Sequence, residues 1–264
     1  MTSSAFADKL TQWQAWCEAP WGRLRFAVVG ETLRRQALEL GGRAGGLRVL
    51  DVGGGDGRDA VPLASAGHHV TIADPEASWL DEARRRAAEA GVADRVRTIE
   101  ASLEDLSGVG DGYDLVLCHF VLHYRPADAG DVARLAARLR PGGRVSVMAP
   151  NPHARVIMRL TREGPEAALA ELESDLFDSA TFTTTGRKVT AEEVATELGT
   201  SGLEVVGRYA ARVVNDYVSD DALKQDAAYY AALERLELAL CDREPYIHLG
   251  GMWQLVAARP SDGA

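Results

Sequence analysis

Four glycines within five residues, at the end of the stretch Leu47–Gly57 (LRVLDVGGGDG), constrain this chain more than any other feature. Leu47, Val49, Leu50 and Val52 form an apolar run too short for a helix, which predicts a buried strand ending abruptly in a tight loop. Gly53, Gly54, Gly55 and Gly57 place no side chain where the chain leaves the sheet, so a ligand can lie directly against the backbone. Arg58 to Ala66 has helical character, and its free N–H groups are expected to face the same crevice. The plain alternative is an ordinary strand-to-helix turn.

Two familiar ligands of such loops do not fit. A nicotinamide dinucleotide needs G-x-G-x-x-G, and counting from Gly53 puts Arg58 where the third glycine belongs. The phosphate-cradling G-x-x-x-x-G-K-[ST] fails because no Lys-Ser or Lys-Thr pair follows. What remains, from Asp51 to Gly57, is D-x-G-x-G-x-G. The 264 residues suffice for one large α/β domain, or for a domain with a modest cap. With 39 Asp and Glu against 29 Lys and Arg, the formal charge is −10, so a polyanionic partner would need a local basic patch to overcome the overall field. Cys17, Cys118 and Cys241 are scattered and form no C-x-x-C pair, which suggests neither a disulfide framework nor a zinc cluster. The N-terminus lacks a basic stretch followed by an apolar one, and no apolar run approaches membrane-spanning length. A cytoplasmic protein is expected.

In chain order, Thr11 to Leu40 predicts short amphipathic helices broken near Pro20 and Gly22, covering one edge of the sheet. The loop Gly41–Gly46 then releases the chain into the first strand. A second strand, His69 to Ala73, ends at Asp74, about 20 residues beyond the first glycines, where a carboxylate can accept both ribose hydroxyls of an adenosine ligand. The competing role is a turn aspartate before Pro75. A helix is expected over Ala77 to Ala90 and a third strand over Val96 to Ile99. An adenine would then lie beside Ser102 and Leu103, unless Ser102 only caps a helix with Asp105 following. Tyr113 to Cys118 reads as a fourth buried strand, with His119 at its carboxyl end, where ligands of open α/β sheets sit. His119 and His123 are four apart, as metal ligands on one helix face would be, but no carboxylate or cysteine at suitable spacing completes a site and no metal is expected. His68 and His69 read as surface residues.

A helix over Asp131 to Leu139, a sharp turn at Arg140–Gly143 (RPGG) and a fifth strand over Arg144 to Met148 complete an alternation that demands a parallel sheet with helices on both faces. Two further strands are expected at Leu203 to Val214 and Met252 to Arg259, with a helical stretch over Asp221 to Leu240 between them. Residues 150–200 break the alternation and read as an irregular, polar cap containing Pro152, Pro165 and the run Thr181 to Thr185. The expected organisation is thus one domain over 1–264, with a helical segment at 1–45 and a cap insertion at 150–200.

The set DVGGGDG, Asp74, ASLED, YDLVLCHFVLHY and LRPGG, in that order, resembles the successive motifs of class I S-adenosylmethionine (SAM)-dependent methyltransferases. That resemblance implies SAM as the methyl donor and a seven-stranded Rossmann-like sheet of order 3-2-1-4-5-7-6 with the last strand antiparallel. GRLR (Gly22–Arg25), ARVVNDYV (Ala211–Val218) and LERLELALCDREPYIHLG (Leu233–Gly250) resemble, more narrowly, the tRNA 5-carboxymethoxyuridine methyltransferase family, whose members methylate a carboxylate on a wobble uridine. By that resemblance Arg25 takes the SAM carboxylate, and Gly53, Gly54, Asp74, Ser102, Leu103 and His119 belong to the cofactor site. Asp51, Gly55 and Pro75, their immediate neighbours in the motifs, are assigned with them.

The cap, EAALAELESDLFDSATF, departs from the lysine-rich stretch of relatives, and only Arg187 and Lys188 form an obvious basic pair in it. The acceptor expected from the sequence is therefore a carboxylate or hydroxyl of a small metabolite, with a tRNA uridine as the alternative and a non-catalytic SAM- or adenosine-binding protein as the third reading. A carboxylate acceptor needs no general base, and Arg212, Tyr217, Arg243 and Tyr246 are the candidates to recognise it. For a hydroxyl or amine, His119 or His123 is the candidate base.

Overall fold

The apolar run at Leu47 becomes β1, Arg48–Val52, and its side chains alternate between two cores as a strand requires. The computed structural model describes residues 9–41, 45–179 and 184–261, so the centre of the Gly41–Gly46 loop and Thr181–Thr183 lie outside the described residues. Parallel neighbours flank β1 on both sides: β2, His69–Asp74, then β3, Val96–Glu100, on one, and β4, Tyr113–His119, then β5, Leu139–Pro150, on the other. A separate antiparallel hairpin, β6 (Leu176–Ser179) with β7 (Thr184–Arg187), precedes the last two sheet strands, β8 (Glu204–Ala211) and β9 (Met252–Ala258). The sheet runs β3-β2-β1-β4-β5-β9-β8, with β9 antiparallel to both neighbours. With the hairpin left out of the count, this is the expected 3-2-1-4-5-7-6 Rossmann-like sheet.

Helices cover both faces. On one, Val49, Ile72, Leu115, Leu117 and Met148 pack against Val28, Val29 and Leu33 of α2 (Pro20–Glu39, after α1, Leu10–Glu18), Leu63 of α3 (Val61–Ser65), and Leu80 and Ala83 of α4 (Ala77–Glu89). On the other, Leu50, Val52, Val116, Cys118, Val145 and Val147 pack against Leu135 of α5 (Asp131–Ala137) and, beyond α6 (Pro152–Glu163) and α7 (Pro165–Glu173), against Val194 and Leu198 of α8 (Ala191–Thr200). The last helix, α9, spans Ala227–Leu240 and packs on α2 through Tyr230, Leu233 and Leu24.

Several local expectations are corrected. The N-terminal helices cover a sheet face, not an edge, because the buried stripe of α2 from Leu24 to Ala37 meets the centre of the sheet. The break between them falls at Ala19, extended at ψ 152°, with Pro20 opening α2; Gly22 lies inside the helix, where a Cβ would come within 2.2 Å of the Trp16 carbonyl oxygen. RPGG is not a turn before the fifth strand but part of it: Gly142 at φ 73° and the close packing of Gly143 on the Tyr113 carbonyl shift the register, and pairing with β4 resumes at Arg144. The helix expected from Arg58 begins only at Val61, which leaves residues 58–60 in a turn at the mouth of the glycine loop. Nor is 150–200 irregular. Residues 152–179 and 184–187 form two helices and a pair of antiparallel strands, while α8 lies against α5, β8 and β9 as part of the main layer.

Candidate active site

A cleft of about 740 Å³ opens at the carboxyl ends of β1, β2 and β4. Its floor is the glycine loop. Gly53 donates its N–H to the Ala73 carbonyl at 2.7 Å and sits at φ 71°, where a Cβ would lie 2.4 Å from Val121 Cγ2. Only glycine fits there. Gly55 donates to Asp74 Oδ2 at 3.0 Å, and Asp74 Oδ1 accepts the Glu76 N–H at 2.9 Å, so one carboxylate ties loop to strand and keeps lone pairs for a ligand. Burial pushes the Asp74 carboxyl up to about 6, although both backbone donors oppose the shift.

Beneath the loop, Asp51 is 2% exposed and its Oδ2 has no hydrogen-bond partner among the described residues. Burial, with Asp59 close by, pushes its carboxyl well up. Asp51, Asp56, Asp59 and Asp74 line one cleft, and an adenosyl sulfonium that also carries an ammonium is a ligand whose charge and donors such a floor satisfies. Trp13, Trp16, Phe26 and Trp79 form an apolar wall, with Trp13 and Trp16 stacked at 5.2 Å and 7°. Leu103 is buried at the rim, and Ser102 bridges to Asp105 as part of a turn, not as a helix cap. These residues fit SAM. Phe120 and Arg212, the two non-glycine residues with positive φ among the described residues, at 60° each, both line the cleft, and such conformations persist where surrounding structure enforces them.

All ten residues nominated for the cofactor, namely Arg25, Asp51, Gly53, Gly54, Gly55, Asp74, Pro75, Ser102, Leu103 and His119, line this cleft, as does His123. The two histidines differ in environment. His119 is engaged at both ring nitrogens, Nδ1 with Asp59 Oδ2 at 2.8 Å and Nε2 with Ser146 Oγ at 2.9 Å. His123 stands among Phe120, Tyr124 and Phe177, and burial, reinforced by Arg187, pushes it down to about 3. It is a neutral imidazole at physiological pH.

Of the four residues nominated for substrate, only Arg212 lines the cleft, paired with Asp216 through its Nε at 2.9 Å. Tyr217, Arg243 and Tyr246 do not. The Tyr217 hydroxyl donates to the Leu249 carbonyl at 2.9 Å, and Ile247, packed against Ala210 and Val213, turns its neighbour Tyr246 out to solvent, as Arg243 is. Besides Arg25, Arg58 and Arg125, the cleft takes three further cations from α6. Arg155, Arg159 and Arg162, at i, i+4 and i+7, all line the cleft. Arg155 is held by Glu171 Oε1 at 3.0 Å and lies over Phe177, Arg159 pairs with Glu163, and Arg162 has no ion-pair partner among the described residues. Sequence reading passed over this face, although its spacing was there in HARVIMRLTRE. It also passed over Asp59 and Trp79.

A methyltransferase domain family matches residues 49–143. The tRNA 5-carboxymethoxyuridine methyltransferase of Escherichia coli (strain K12) is 31% identical over 240 residues, covering 90% of this chain and 89% of that protein. A ubiquinone biosynthesis O-methyltransferase from Aeromonas salmonicida is 36% identical over 126 residues, 46% of this chain and 52% of its own. Among solved structures, magnesium protoporphyrin IX methyltransferase from Synechocystis PCC 6803 with bound SAH superposes at a TM-score of 0.62 and 17% identity over 94% of this chain and 93% of that one, a likeness of fold.

Proposed function

We propose, starting from a chain that belongs to the tRNA 5-carboxymethoxyuridine methyltransferase family and is a SAM-dependent methyltransferase, that it esterifies a carboxylate which is already ionised when it enters the cleft. The observation that carries this reading is the state of the two histidines. With both ring nitrogens of His119 occupied and His123 pushed down to about 3, neither is equipped to take a proton from a hydroxyl or amine. A carboxylate needs no such help.

When bound, SAM supplies an electrophilic methyl group on a sulfonium; a carboxylate oxygen forms the new bond to that carbon as the carbon–sulfur bond breaks, giving a methyl ester and a neutral thioether. The chain's part is alignment and exclusion of water. In this reading Asp74 holds the ribose, Arg25 the methionine carboxylate, and Leu103 with Ser102 the adenine. Residues 152–187 act as the cap, and Arg155, Arg159, Arg162 and Arg212 draw in the acceptor's charge.

The acceptor we favour is the one in the name of the Escherichia coli relative, a 5-carboxymethoxyuridine in tRNA. Arg162, on the same α6 face as Arg155 and Arg159 and without an ion-pair partner among the described residues, supports it, while Arg155 and Lys188 offset the charge of Glu171. A small metabolite carrying a single carboxylate is the second reading, because Glu104, Glu163 and Asp178 around the same opening and the formal charge of −10 repel it less than they repel a polyanion. No helix among the described residues is long and apolar enough to cross a membrane, and the three cysteines are buried free thiols; we assign the reaction to the cytoplasm.

Incubating the protein with methyl-labelled SAM and, in parallel, total tRNA or the small-molecule fraction of a cell extract tests this. Base-labile label in tRNA is expected. Label only in the small-molecule pool selects the second reading, and base-stable label in either pool overturns the carboxylate. For the tRNA reading, Arg162→Ala is expected to lower the slope of log affinity for tRNA against log salt by about 1, with SAM affinity unchanged. A slope that stays put removes this face from the interface.

The Asp74 carboxyl gives the cofactor site a pH signature. Its ionised form is the better acceptor for ribose hydroxyls, so SAM favours the charged state. Affinity is then full well above pH 6, falls as pH drops through about 6, and below that approaches a tenfold loss per pH unit. Calorimetry between about pH 5 and about pH 8 reads this directly, and Asp74→Asn should flatten the profile.

A further inference from the structure

We propose that Asp59 is a positioning residue that fixes both Arg25 and His119, so that Arg25 serves two carboxylates at once: Asp59 through its terminal nitrogens, and the methionine end of the cofactor through its Nε edge. The proposal rests on Arg25 as the cofactor's carboxylate ligand and goes beyond it by saying how that arginine is held.

Asp59 lies in the turn before α3, a position that brings it between α2 and the end of β4. Arg25 Nη1 donates to its Oδ1 and Arg25 Nη2 to its Oδ2 at 2.7 Å, while the same Oδ2 meets His119 Nδ1 at 2.8 Å. The chain of hydrogen bonds continues through the sheet. His119 Nε2 lies 2.9 Å from Ser146 Oγ, Gln254 Nε2 donates to that oxygen at 2.9 Å, and Thr32 Oγ1 donates to Gln254 Oε1 at 2.8 Å. Every other member from Thr32 to Arg25 is buried, and the Asp59 side chain is 11% exposed.

Donor and acceptor counting gives the chain one direction. An ionised Asp59 carboxylate can only accept, so the imidazole proton sits on Nδ1 and Nε2 accepts from Ser146 Oγ; that oxygen accepts from Gln254 Nε2, which leaves Gln254 Oε1 to accept the single Thr32 proton, although the Val29 carbonyl also lies 2.9 Å from that hydroxyl. The Asp59 carboxylate stays ionised: burial favours the acid, but Arg25 and His119 outweigh it and hold the group well below the usual range. Oxygen Oδ2 thus receives two donors and Oδ1 one. On Arg25, which is 2% exposed and lies over Phe26 and Phe120, Nη2 also approaches Met148 Sδ, whereas Nε has no hydrogen-bond partner among the described residues. A buried guanidinium held end-on by one carboxylate, with Nε still unmatched, is preset for a second carboxylate on its side edge.

Two measurements test the assignment. First, nitrogen-detected NMR of the wild-type imidazoles should find His119 protonated at Nδ1; protonation at Nε2, or at both nitrogens, overturns the relay whether or not any variant folds. Second, calorimetry compares SAM with 5′-methylthioadenosine, which lacks the methionine carboxylate and ammonium, on wild type, Asp59→Asn and Arg25→Ala. Asp59→Asn is expected to weaken SAM about tenfold and methylthioadenosine less than about twofold, with His119 moving to the Nε2–H form. Equal weakening of both ligands, or of neither, overturns the positioning role. If Arg25→Ala weakens SAM selectively but Asp59→Asn does not, only the role of Asp59 fails; if Arg25→Ala spares SAM, the carboxylate assignment of Arg25 fails with it.

Discussion

An Asp74→Ala enzyme is expected to bind SAM about a hundredfold more weakly, a loss of about 3 kcal/mol, while the melting temperature of the ligand-free protein changes little. The two effects separate because Asp74 has two tasks of opposite sign. It is buried, and its carboxyl is pushed from an ordinary value of 3.8 up to about 6, so keeping it charged at neutral pH destabilises the fold. For a carboxyl raised in this way, the stabilising contribution is fully present below about pH 4 and is lost as pH rises through about 6. Alanine removes that cost but also strips the Gly55 and Glu76 N–H groups of their acceptor, and these changes offset each other. What alanine does not restore is an anionic acceptor for the ribose. Calorimetry gives the affinity and a thermal scan with and without SAM gives the other half: the ligand-induced rise should vanish while the baseline stays. An unchanged dissociation constant would remove Asp74 from the site.

Gly53→Ala is expected to lose both stability and SAM binding, by a route that leaves every ionisable group in place. A left-handed conformation costs a residue with a Cβ roughly 1–2 kcal/mol, and here φ is 71°. The new methyl would also lie 2.4 Å from Val121 Cγ2, a separation that forces either the loop or residue 121 to move. We expect a total loss of about 3 kcal/mol in denaturant unfolding. Adding Val121→Ala should recover the part due to the clash and none of the part due to φ. If the single variant unfolds with the wild-type midpoint and binds SAM normally, the loop is not held in the conformation described.

The glycine loop, Asp74 and His119 were legible in the sequence because each depends on local order: a strand, its end, and a fixed spacing to the next strand end. Once five parallel strands are accepted, the carboxyl ends of the central ones must share one crevice. Asp59 was hidden by an assumed helix. If α3 had started at Arg58, that residue would be one more polar group in a first turn; because the helix starts at Val61, the turn delivers Asp59 to Arg25 and His119, residues 34 and 60 positions away. Tyr217, Arg243 and Tyr246 were misplaced for a comparable reason. Their neighbourhood is organised by Ile247 packing under β8, a contact that no short-range pattern announces. The α6 arginines had the right period, but counting cap charges along the chain hid the pairing of Glu171 with Arg155 and Lys188, which is made across residues far apart in sequence.

Three of the chain's five tryptophans, Trp13, Trp16 and Trp79, stand in the cleft wall, while Trp253 is buried in the sheet core with its indole N–H on the Val189 carbonyl. The molecule therefore carries its own optical gauge. A ligand filling the cleft is expected to alter the surroundings of these three indoles at once, with Trp253 as a steady background, so that occupancy would be read from native ultraviolet emission without any dye.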